Sequence, residues 1–279
     1  MPRGVYQRQS KTTNLDRVIN VVPMETDEQI DKRIAERFDV LDLMTQATIN
    51  GDSRAMVVSG PPGLGKSYTV ESALSQFDPN EETHTIIKGY VRATGLIKLL
   101  YRYRHRNNVI VFDDADSIFF DDTSLNLIKA VCDTTERRVV SYLAESKLID
   151  DETAELIPHR FEFNGSIVFI TNYDFDEMID RGHKLAPHFQ ALLSRAHYID
   201  LTMKTRRDYI VRIRQVVKQG LLKDSGLNWA EQVQVISFIE DNQEKLRELS
   251  LRIVLKVASI FKSTPSNWQK IAKITCCKG

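Results

Sequence analysis

Residues 60–67, GPPGLGKS, match the complete pattern G-x-x-x-x-G-K-[ST], which constrains the fold more than any other stretch of the chain. The apolar, β-branched run 55–59 before it is typical of a short strand. Residues 67–75 after it place Val70 and Leu74 on one helical face. Strand, glycine-rich loop and helix is the context in which this pattern binds phosphate. The sequence therefore predicts a phosphate-binding loop between a strand and a helix.

The residue types of this loop explain how it would hold a phosphate. Glycines allow consecutive backbone N–H groups to turn towards one anion, and the helix that begins after Gly65 directs its positive end to the same point. Lys66 is expected to reach the β- and γ-phosphates, and Ser67 to offer its hydroxyl to Mg²⁺. A glycine-rich turn that binds nothing is the alternative, and the complete motif with its flanks disfavours it. The residues expected to line the nucleotide site are Gly60, Pro61, Pro62, Gly63, Leu64, Gly65, Lys66, Ser67 and Tyr68.

Composition excludes several classes of protein. The 279 residues are 42% hydrophobic and 27% charged, which suits a soluble chain with one large domain or a core and a small satellite. No apolar run approaches the ~18 residues of a membrane span, and the basic start MPRGVYQRQSKTT lacks the apolar centre of a secretory signal. Cys132, Cys276 and Cys277 give neither a disulfide framework nor metal-ligand spacing. We expect a cytoplasmic protein, in the host cytoplasm if it is viral, with no membrane partner.

Basic residues are concentrated locally, although 38 basic and 38 acidic residues cancel over the whole chain. They are enriched in the first twenty residues, in 204–223 and from residue 262 onward. Each stretch alone fits a solvated face or a tail, whereas together they are compatible with a nucleic-acid contact. Residues 1–26 show no helical or strand periodicity, so we expect a flexible basic arm there.

The rest of the chain alternates short apolar strands with helices. Further strands are predicted at 84–88, 109–113, 166–171 and 197–201, and helices at 27–48, from 96 to about 106, at 124–134 and around 187–195. Residues 138–165, two strand-like runs around an acidic segment, are expected to form a hairpin-like insertion. From residue 203 onward the pattern is helical only, with helices predicted near 210–217, 229–240 and 249–261. We therefore expect an α/β core at 27–202 and a helical lid at 203–279.

Polar side chains follow two of the buried strands. Asp113 and Asp114 follow the apolar run 109–112, and Asn172 follows the run 166–171. Asp113 is expected to hold Mg²⁺ through water, and Asp114 to act on the attacking water. The Asn172 amide could bind the γ-phosphate and the same water, or it could simply form the turn that ends the strand.

The order of these motifs resembles the AAA+ ATPases. GPPGLGKS, VIVFDDAD, IVFITN, ALLSR and LSLR follow one another over about residues 27–265. The resemblance implies an α/β fold of the P-loop NTPase class, with a parallel five-stranded sheet of order 5-1-4-3-2 and a C-terminal α-helical lid. It also implies ATP and Mg²⁺ as ligands. The whole chain is moreover similar to AAA+ ATPases of tailed bacteriophages.

The resemblance also implies roles for single residues. Lys66 with Ser67 matches Walker A, Asp113 with Asp114 matches Walker B, and Asn172 matches sensor 1. Arg195 matches the arginine finger, which is offered to ATP of a neighbouring subunit, and Arg252 matches sensor 2 of the lid. An ordinary surface arginine is the alternative for each of these two. A finger that acts in trans implies a homo-oligomer, and the family usually forms rings of six.

Two features bear on what the ATPase would do. The family usually has Glu where this chain has Asp114, and a misplacement of ~1 Å can cost on the order of 10²-fold in rate, so slow hydrolysis is an open alternative. Tyr90 and Val91 resemble an aromatic-aliphatic pore loop, although a strand-ending tyrosine packed on its neighbour fits equally well. DDAD and SR resemble clamp-loader-type members. The leading hypothesis is an ATP-driven factor in DNA transactions such as replication or recombination; the alternatives are a motor that threads a protein client and an ATP-gated assembly protein.

Overall fold

The computed structural model describes residues 25–143 and 147–279. Apart from residues 25 and 26, the predicted basic arm lies outside these ranges. The strands are β1 (Ala55–Ser59), β2 (His84–Lys88), β3 (Val109–Asp113), β4 (Val139–Ser141), β5 (Leu148–Ile149), β6 (Leu156–Ile157), β7 (Arg160–Glu162), β8 (Ser166–Thr171) and β9 (His197–Asp200). The helices are α1 (Asp27–Ile49), α2 (Lys66–Phe77), α3 (Ala93–Arg102), α4 (Asp122–Val131), α5 (Phe175–Asp180), α6 (Ala186–Leu193), α7 (Arg206–Lys218), α8 (Trp229–Asp241), α9 (Leu251–Ser263) and α10 (Trp268–Cys276).

A parallel five-stranded sheet lies at the centre, in the order β2-β3-β8-β1-β9. Val57 pairs with Phe169, and Val111 pairs with Val168. Every residue of β1, β3 and β8 is buried, as expected of parallel strands that are covered on both faces. Numbered along the chain, the five core strands have the order 5-1-4-3-2, so the predicted fold class is confirmed.

Helices cover both faces of the sheet, and alternate residues of each strand face opposite layers. Val57 of β1 belongs to the layer of α3, α4 and α6, whereas its neighbours Met56 and Val58 pack towards α1 and α2. The first layer is rich in phenylalanine, with Phe175 stacked on Phe189 at a centroid distance of 4.4 Å. Both layers therefore fix the strand ends that carry the candidate site.

The helix α3 ends earlier than the sequence predicts. It ends at Arg102 rather than near Arg106, because Tyr103 leaves the helical conformation and Asn107 takes a left-handed one with φ of 66°. Arg104 instead donates from Nη1 to the Tyr101 carbonyl over 2.6 Å. At its other end the helix begins at Ala93, three residues before the predicted start at residue 96.

Two short antiparallel ladders occupy residues 138–165. β4 pairs with β7, and β5 pairs with β6. The second ladder is fixed to α3, because Arg102 Nη2 lies 2.9 Å from Oδ1 of Asp150, a carboxylate that is 1% exposed. Arg102 also contacts Glu152, and Lys98 lies 2.6 Å from Asp151. These contacts hold the ladder on the core.

The C-terminal region consists of α7 to α10 around its own apolar cluster. The helix α10 was not predicted from the sequence. Its Trp268 packs against Phe238 and Phe261, with centroid distances of 5.3 and 4.9 Å. Over the described ranges, no helix is long and apolar enough to cross a membrane.

Candidate nucleotide-binding site

The loop 60–65 connects the end of β1 to the start of α2. Gly63 and Gly65 have φ values of 74° and 98°, a region that favours glycine over residues with a side chain. Gly65 is the N-cap of α2, and no side chain caps the helix there. The first amides of α2 therefore remain available for an anion, which helix N-termini bind readily. The loop thus fits a phosphate.

Lys66 lies beneath this loop and is only 5% exposed. Its Nζ donates to the carbonyl of Gly60, to that of Pro61 over 3.0 Å and to Oδ1 of Asn172 over 2.9 Å. Burial lowers the pKa of Lys66 to about 8, and the nearby Asp114 and Asp113 only partly oppose this shift. A buried ammonium held by uncharged oxygens is well suited to meet a phosphate.

Ser67 and Asp113 form the part of the site that fits Mg²⁺. The Ser67 hydroxyl donates to Oδ1 of Asp113 over 2.8 Å, at the end of β3. Lys88 Nζ lies 3.6 Å from the other oxygen of Asp113 and 2.6 Å from Oε1 of Glu71. The described ranges contain no group of three or more His, Cys, Asp or Glu residues that could hold a metal. One hydroxyl and one carboxylate suit Mg²⁺, which usually takes its other ligands from phosphates and water.

Asn172 connects the lysine to the candidate base. Its Nδ2 donates to Oδ1 of Asp114 over 2.9 Å, while its Oδ1 accepts from Lys66. Asp114 has φ of 53°, which is uncommon for a residue with a side chain but is tolerated by Asp. Both Asp114 and Asn172 are exposed, so water can reach them. The structure thus brings Lys66, Asn172 and Asp114 together in one chain of hydrogen bonds.

Asp116 is a neighbouring carboxyl that the sequence did not single out. Its Oδ1 accepts from the Thr171 hydroxyl over 2.7 Å, and burial raises its pKa. This bond joins the segment after β3 to the end of β8, so it supports the positions of Asp114 and Asn172.

The C-terminal helices contact the loop at two places. Leu251 N donates to the Gly63 carbonyl over 2.7 Å, so α9 begins against the loop. Arg252, the next residue, is exposed; its Cγ lies 3.7 Å from the position that a Cβ on Gly63 would take. From α7, Arg212 donates to the Leu64 carbonyl. A role for Arg212 was not predicted from the sequence. The only sequence feature that could have indicated one is its position among the buried residues of α7.

The remaining predicted residues are Arg195, Tyr68, Tyr90 and Val91. Arg195 follows α6, where its Nη1 donates to the Ala191 carbonyl over 2.6 Å. Tyr68 and Tyr90 are each 75% exposed. Val91, in contrast, is only 7% exposed, and it packs into the layer of α3. Of the two residues predicted as a pore loop, Tyr90 is therefore exposed and Val91 is buried.

One relative by sequence is the uncharacterised 36.7 kDa protein in the nrdC-mobD intergenic region of Enterobacteria phage T4. It is 37% identical over 250 residues, which are 89% of this chain and 76% of the relative. The chain belongs to the family of this phage protein. No family model matches the chain.

Solved structures similar to the chain include AAA+ proteins. Domain III of the Thermotoga maritima replication initiation protein DnaA is 12% identical, with a TM-score of 0.49 over 92% of this chain and 100% of that one. The RuvB Holliday junction branch migration motor of Thermotoga maritima is 12% identical, with a TM-score of 0.44 over 89% and 69%. Hsp104 of S. cerevisiae, in a complex with casein, is 10% identical, with a TM-score of 0.48 over 88% and 40%. The AAA+ fold of the chain rests on its own strand order, loop and C-terminal helices.

Proposed function

We propose that the chain binds ATP with Mg²⁺ and hydrolyses it to ADP and phosphate. The observation that carries this proposal is the chain of hydrogen bonds from Lys66 through Asn172 to Asp114. It aligns a phosphate-binding cation at the start of α2 with a carboxylate and a polar amide that follow the adjacent strands β3 and β8. Phosphoryl transfer needs mainly such positioning and charge stabilisation.

Each residue then has a defined task. The loop amides and Lys66 hold the phosphates, and Asn172 orients the γ-phosphate and the attacking water. Asp114 accepts a proton from that water. Mg²⁺, held by Ser67 and Asp113, would supply neutralisation of the charge on the β- and γ-phosphate oxygens. The bond from Asn172 limits the freedom of the short Asp114 side chain, which supports catalysis without the usual Glu.

Nucleotide binding and turnover test this proposal separately. We expect Lys66→Ala to lose binding of a fluorescent ATP analogue. We expect Asp114→Asn to keep binding but to lower phosphate release by 10²-fold or more, within the range of about 10²–10⁴ for a general base. Asp241→Asn, on the exposed end of α8, is the control and should match the wild type. Unchanged turnover in Asp114→Asn would show that Asp114 is not the base.

We further propose that ATP turnover serves a DNA transaction. The support is a cationic surface at the end of the lid, where the turn before α9 meets α10. Arg247 N donates to the Cys276 carbonyl over 2.9 Å, and Lys278 N donates to the Lys245 carbonyl over 2.7 Å. Exposed cations here that form no ion pair with any described residue are Lys245, Arg247, Lys270, Lys273 and Lys278. Together with the basic residues of the arm, these cations could neutralise phosphates of a nucleic acid.

Salt dependence is the test of the DNA proposal. Single-stranded and duplex DNA should bind at 50 mM salt with an ATP analogue present, and binding should weaken steeply at 200 mM salt. The triple variant with Lys270, Lys273 and Lys278 changed to Glu should bind both single-stranded and duplex DNA more weakly. Lys32→Glu, which changes an exposed lysine of α1, should not. If neither DNA binds at low salt, the proposal fails.

A second candidate is a motor that threads a polypeptide, favoured by the 75% exposure of Tyr90 directly after β2. Tyr90→Ala should then abolish stimulation of turnover by an unfolded protein and leave basal turnover unchanged.

A third candidate is an ATP-gated assembly protein, which is supported only by the short carboxylate of Asp114. It predicts negligible turnover in the wild type and unchanged assembly in Asp114→Asn.

A further inference from the structure

Arg212 of α7 places a buried guanidinium directly against the phosphate-binding loop. Its Nε and Nη2 each lie 3.3 Å from the Leu64 carbonyl oxygen, to which both donate. Its Nη2 is also 3.6 Å from the position that a Cβ on Gly65 would occupy. The side chain is 6% exposed, so this contact is made away from water.

No carboxylate in residues 25–143 and 147–279 forms an ion pair with Arg212, and the charge of Asp31 acts on it only from beyond ion-pair distance. Its other polar partner is Oε1 of Gln215, at 2.6 Å from Nη1. Burial lowers the pKa of Arg212 to about 10, and the charge of Asp31 only partly opposes this shift. A buried charge without an ion-pair partner lowers the free energy of unfolding more than a buried ion pair or an apolar side chain does.

The same side chain joins three parts of the molecule. Its guanidinium carbon lies 3.4 Å from the ring centroid of Phe38, in α1. Gln215, which accepts from Arg212, donates from Nε2 to the Asp31 carbonyl over 3.2 Å. The loop, α7 of the lid and α1 therefore meet at Arg212. A change in the loop on phosphate binding would act on the lid through this residue.

We propose that Arg212 is a positioning residue for the phosphate-binding loop, and that its unpaired charge strengthens the binding of nucleotide phosphates. The inference rests on the proposed nucleotide site. Arg212 holds the Leu64 carbonyl on the lid side, so the amides of the same loop face the phosphates. A bound phosphate adds negative charge on the other side of the loop, which offsets the burial of the guanidinium.

The inference predicts effects of opposite kind on stability and on binding. Arg212→Met keeps much of the side-chain volume and removes a buried charge that has no ion-pair partner, so the Tm of the nucleotide-free protein should stay the same or rise. Binding of fluorescent ADP should weaken about tenfold, the size expected for loss of a charge-assisted interaction. The rise in Tm on adding ADP should shrink accordingly. Arg212→Lys keeps the charge but loses the two N–H donors to the Leu64 carbonyl. Its ADP affinity should therefore lie between those of the wild type and Arg212→Met.

Arg214→Met is the matched control. Arg214 lies on the same helix and pairs with Asp27 at 3.0 Å and Glu240 at 2.6 Å. Within the part of the chain that the structure describes, it forms no hydrogen bond or ion pair with the loop. Its loss should lower the Tm of the nucleotide-free protein and leave the ADP affinity unchanged.

The outcomes separate the inference from the function on which it rests. If the wild type binds no ADP or ATP, the proposed function fails and the inference fails with it. If the wild type binds and Arg212→Met binds equally well, the inference alone is overturned. A lower Tm with unchanged ADP affinity in Arg212→Met would likewise overturn it, since that would be a purely structural role. Should Arg212→Met not fold, Arg212→Lys decides, because wild-type affinity in that variant would contradict the positioning role.

Discussion

Asn172 accepts a hydrogen bond from Lys66, with 2.9 Å between Nζ and Oδ1, and donates one to Asp114 over the same distance. Lys66 follows β1, Asp114 follows β3, and Asn172 follows β8, which lies between them in the sheet. The central position of β8 therefore allows one amide to contact both partners. The side chain that the sequence leaves as either sensor or turn former therefore bonds to both the loop lysine and the carboxylate after β3.

Asn172→Ala should separate binding from turnover. The variant removes the amide that we propose orients the γ-phosphate and the water, but it leaves the loop and Lys66 in place. We expect turnover to fall on the order of 10²-fold, as for the loss of one preorganised polar group, with ADP affinity changed much less. Single-turnover phosphate release and fluorescent ADP titration measure the two effects. Asn267→Ala, at the start of α10, is the control. Equal losses in both measurements would point to a structural role for Asn172.

Nucleotide affinity should depend on pH through Lys66. Because burial lowers the pKa of Lys66 to about 8, its charged fraction in the free protein falls as the pH rises through that value. The anionic nucleotide binds the charged form, and its own phosphates stay ionised above about pH 6. Affinity for ADP without Mg²⁺ should therefore fall, by about tenfold per pH unit above 8. Titrations of fluorescent ADP from pH 7 to 10 test this. Lys66→Ala should bind weakly with no such slope, and a flat wild-type profile would contradict the prediction.

Local sequence patterns were sufficient to predict the loop and the sheet. The strands 55–59 and 84–88 match the structure at both ends, because each is a short apolar run bounded by turn-forming residues. Asp113 is the last residue of β3, and Asp114 and Asn172 come directly after β3 and β8. Parallel strands bring such ends to one edge of the sheet. Their spatial proximity could therefore be predicted without any tertiary contact.

Features that depend on tertiary packing were not predictable. The buried residues of α10 are Trp268, Ala272 and Cys276, one per turn, with lysines between them, so the pattern looked like a basic tail. Val91 looked exposed because its burial is produced by α3 folding over it. Arg212 looked like one of many surface cations, since arginine is rarely buried without a partner. Only the packing of the lid against the loop shows what this side chain contacts.

Contact between Gly63 and the lid should limit substitution in the loop. A Cβ on Gly63 would lie 2.7 Å from the Cβ of Ser250, and the φ of 74° also disfavours a side chain. Gly182 has a similar φ of 66° but no atom within 4 Å of its Cβ position. Gly182→Ala should therefore cost about 1 kcal/mol in free energy of unfolding, the backbone effect alone.

The same backbone effect applies to Gly63→Ala, which adds a clash that must move the start of α9 or the loop. We expect a larger loss of stability than in Gly182→Ala and at least tenfold weaker ADP binding, about 1.4 kcal/mol. Thermal denaturation and fluorescent ADP titration measure the pair. Equal stability losses with wild-type ADP affinity would mean that the lid does not press on the loop.

Arg195 should act on the site of a neighbouring subunit. Its Nη1 donates to the Ala191 carbonyl at 2.6 Å and to the Ser194 hydroxyl at 3.3 Å. Among the described residues it forms no hydrogen bond with the loop of its own chain. Arg195→Ala and Lys66→Ala should each lose turnover when pure. A 1:1 mixture should recover it at about a quarter of the sites, where an intact Lys66 meets an intact Arg195 from the neighbour. Phosphate release measures the recovery, and a double variant mixed with Arg195→Ala should recover nothing. Wild-type turnover in pure Arg195→Ala, or a protein that stays monomeric with ATP bound, would rule out a finger in trans.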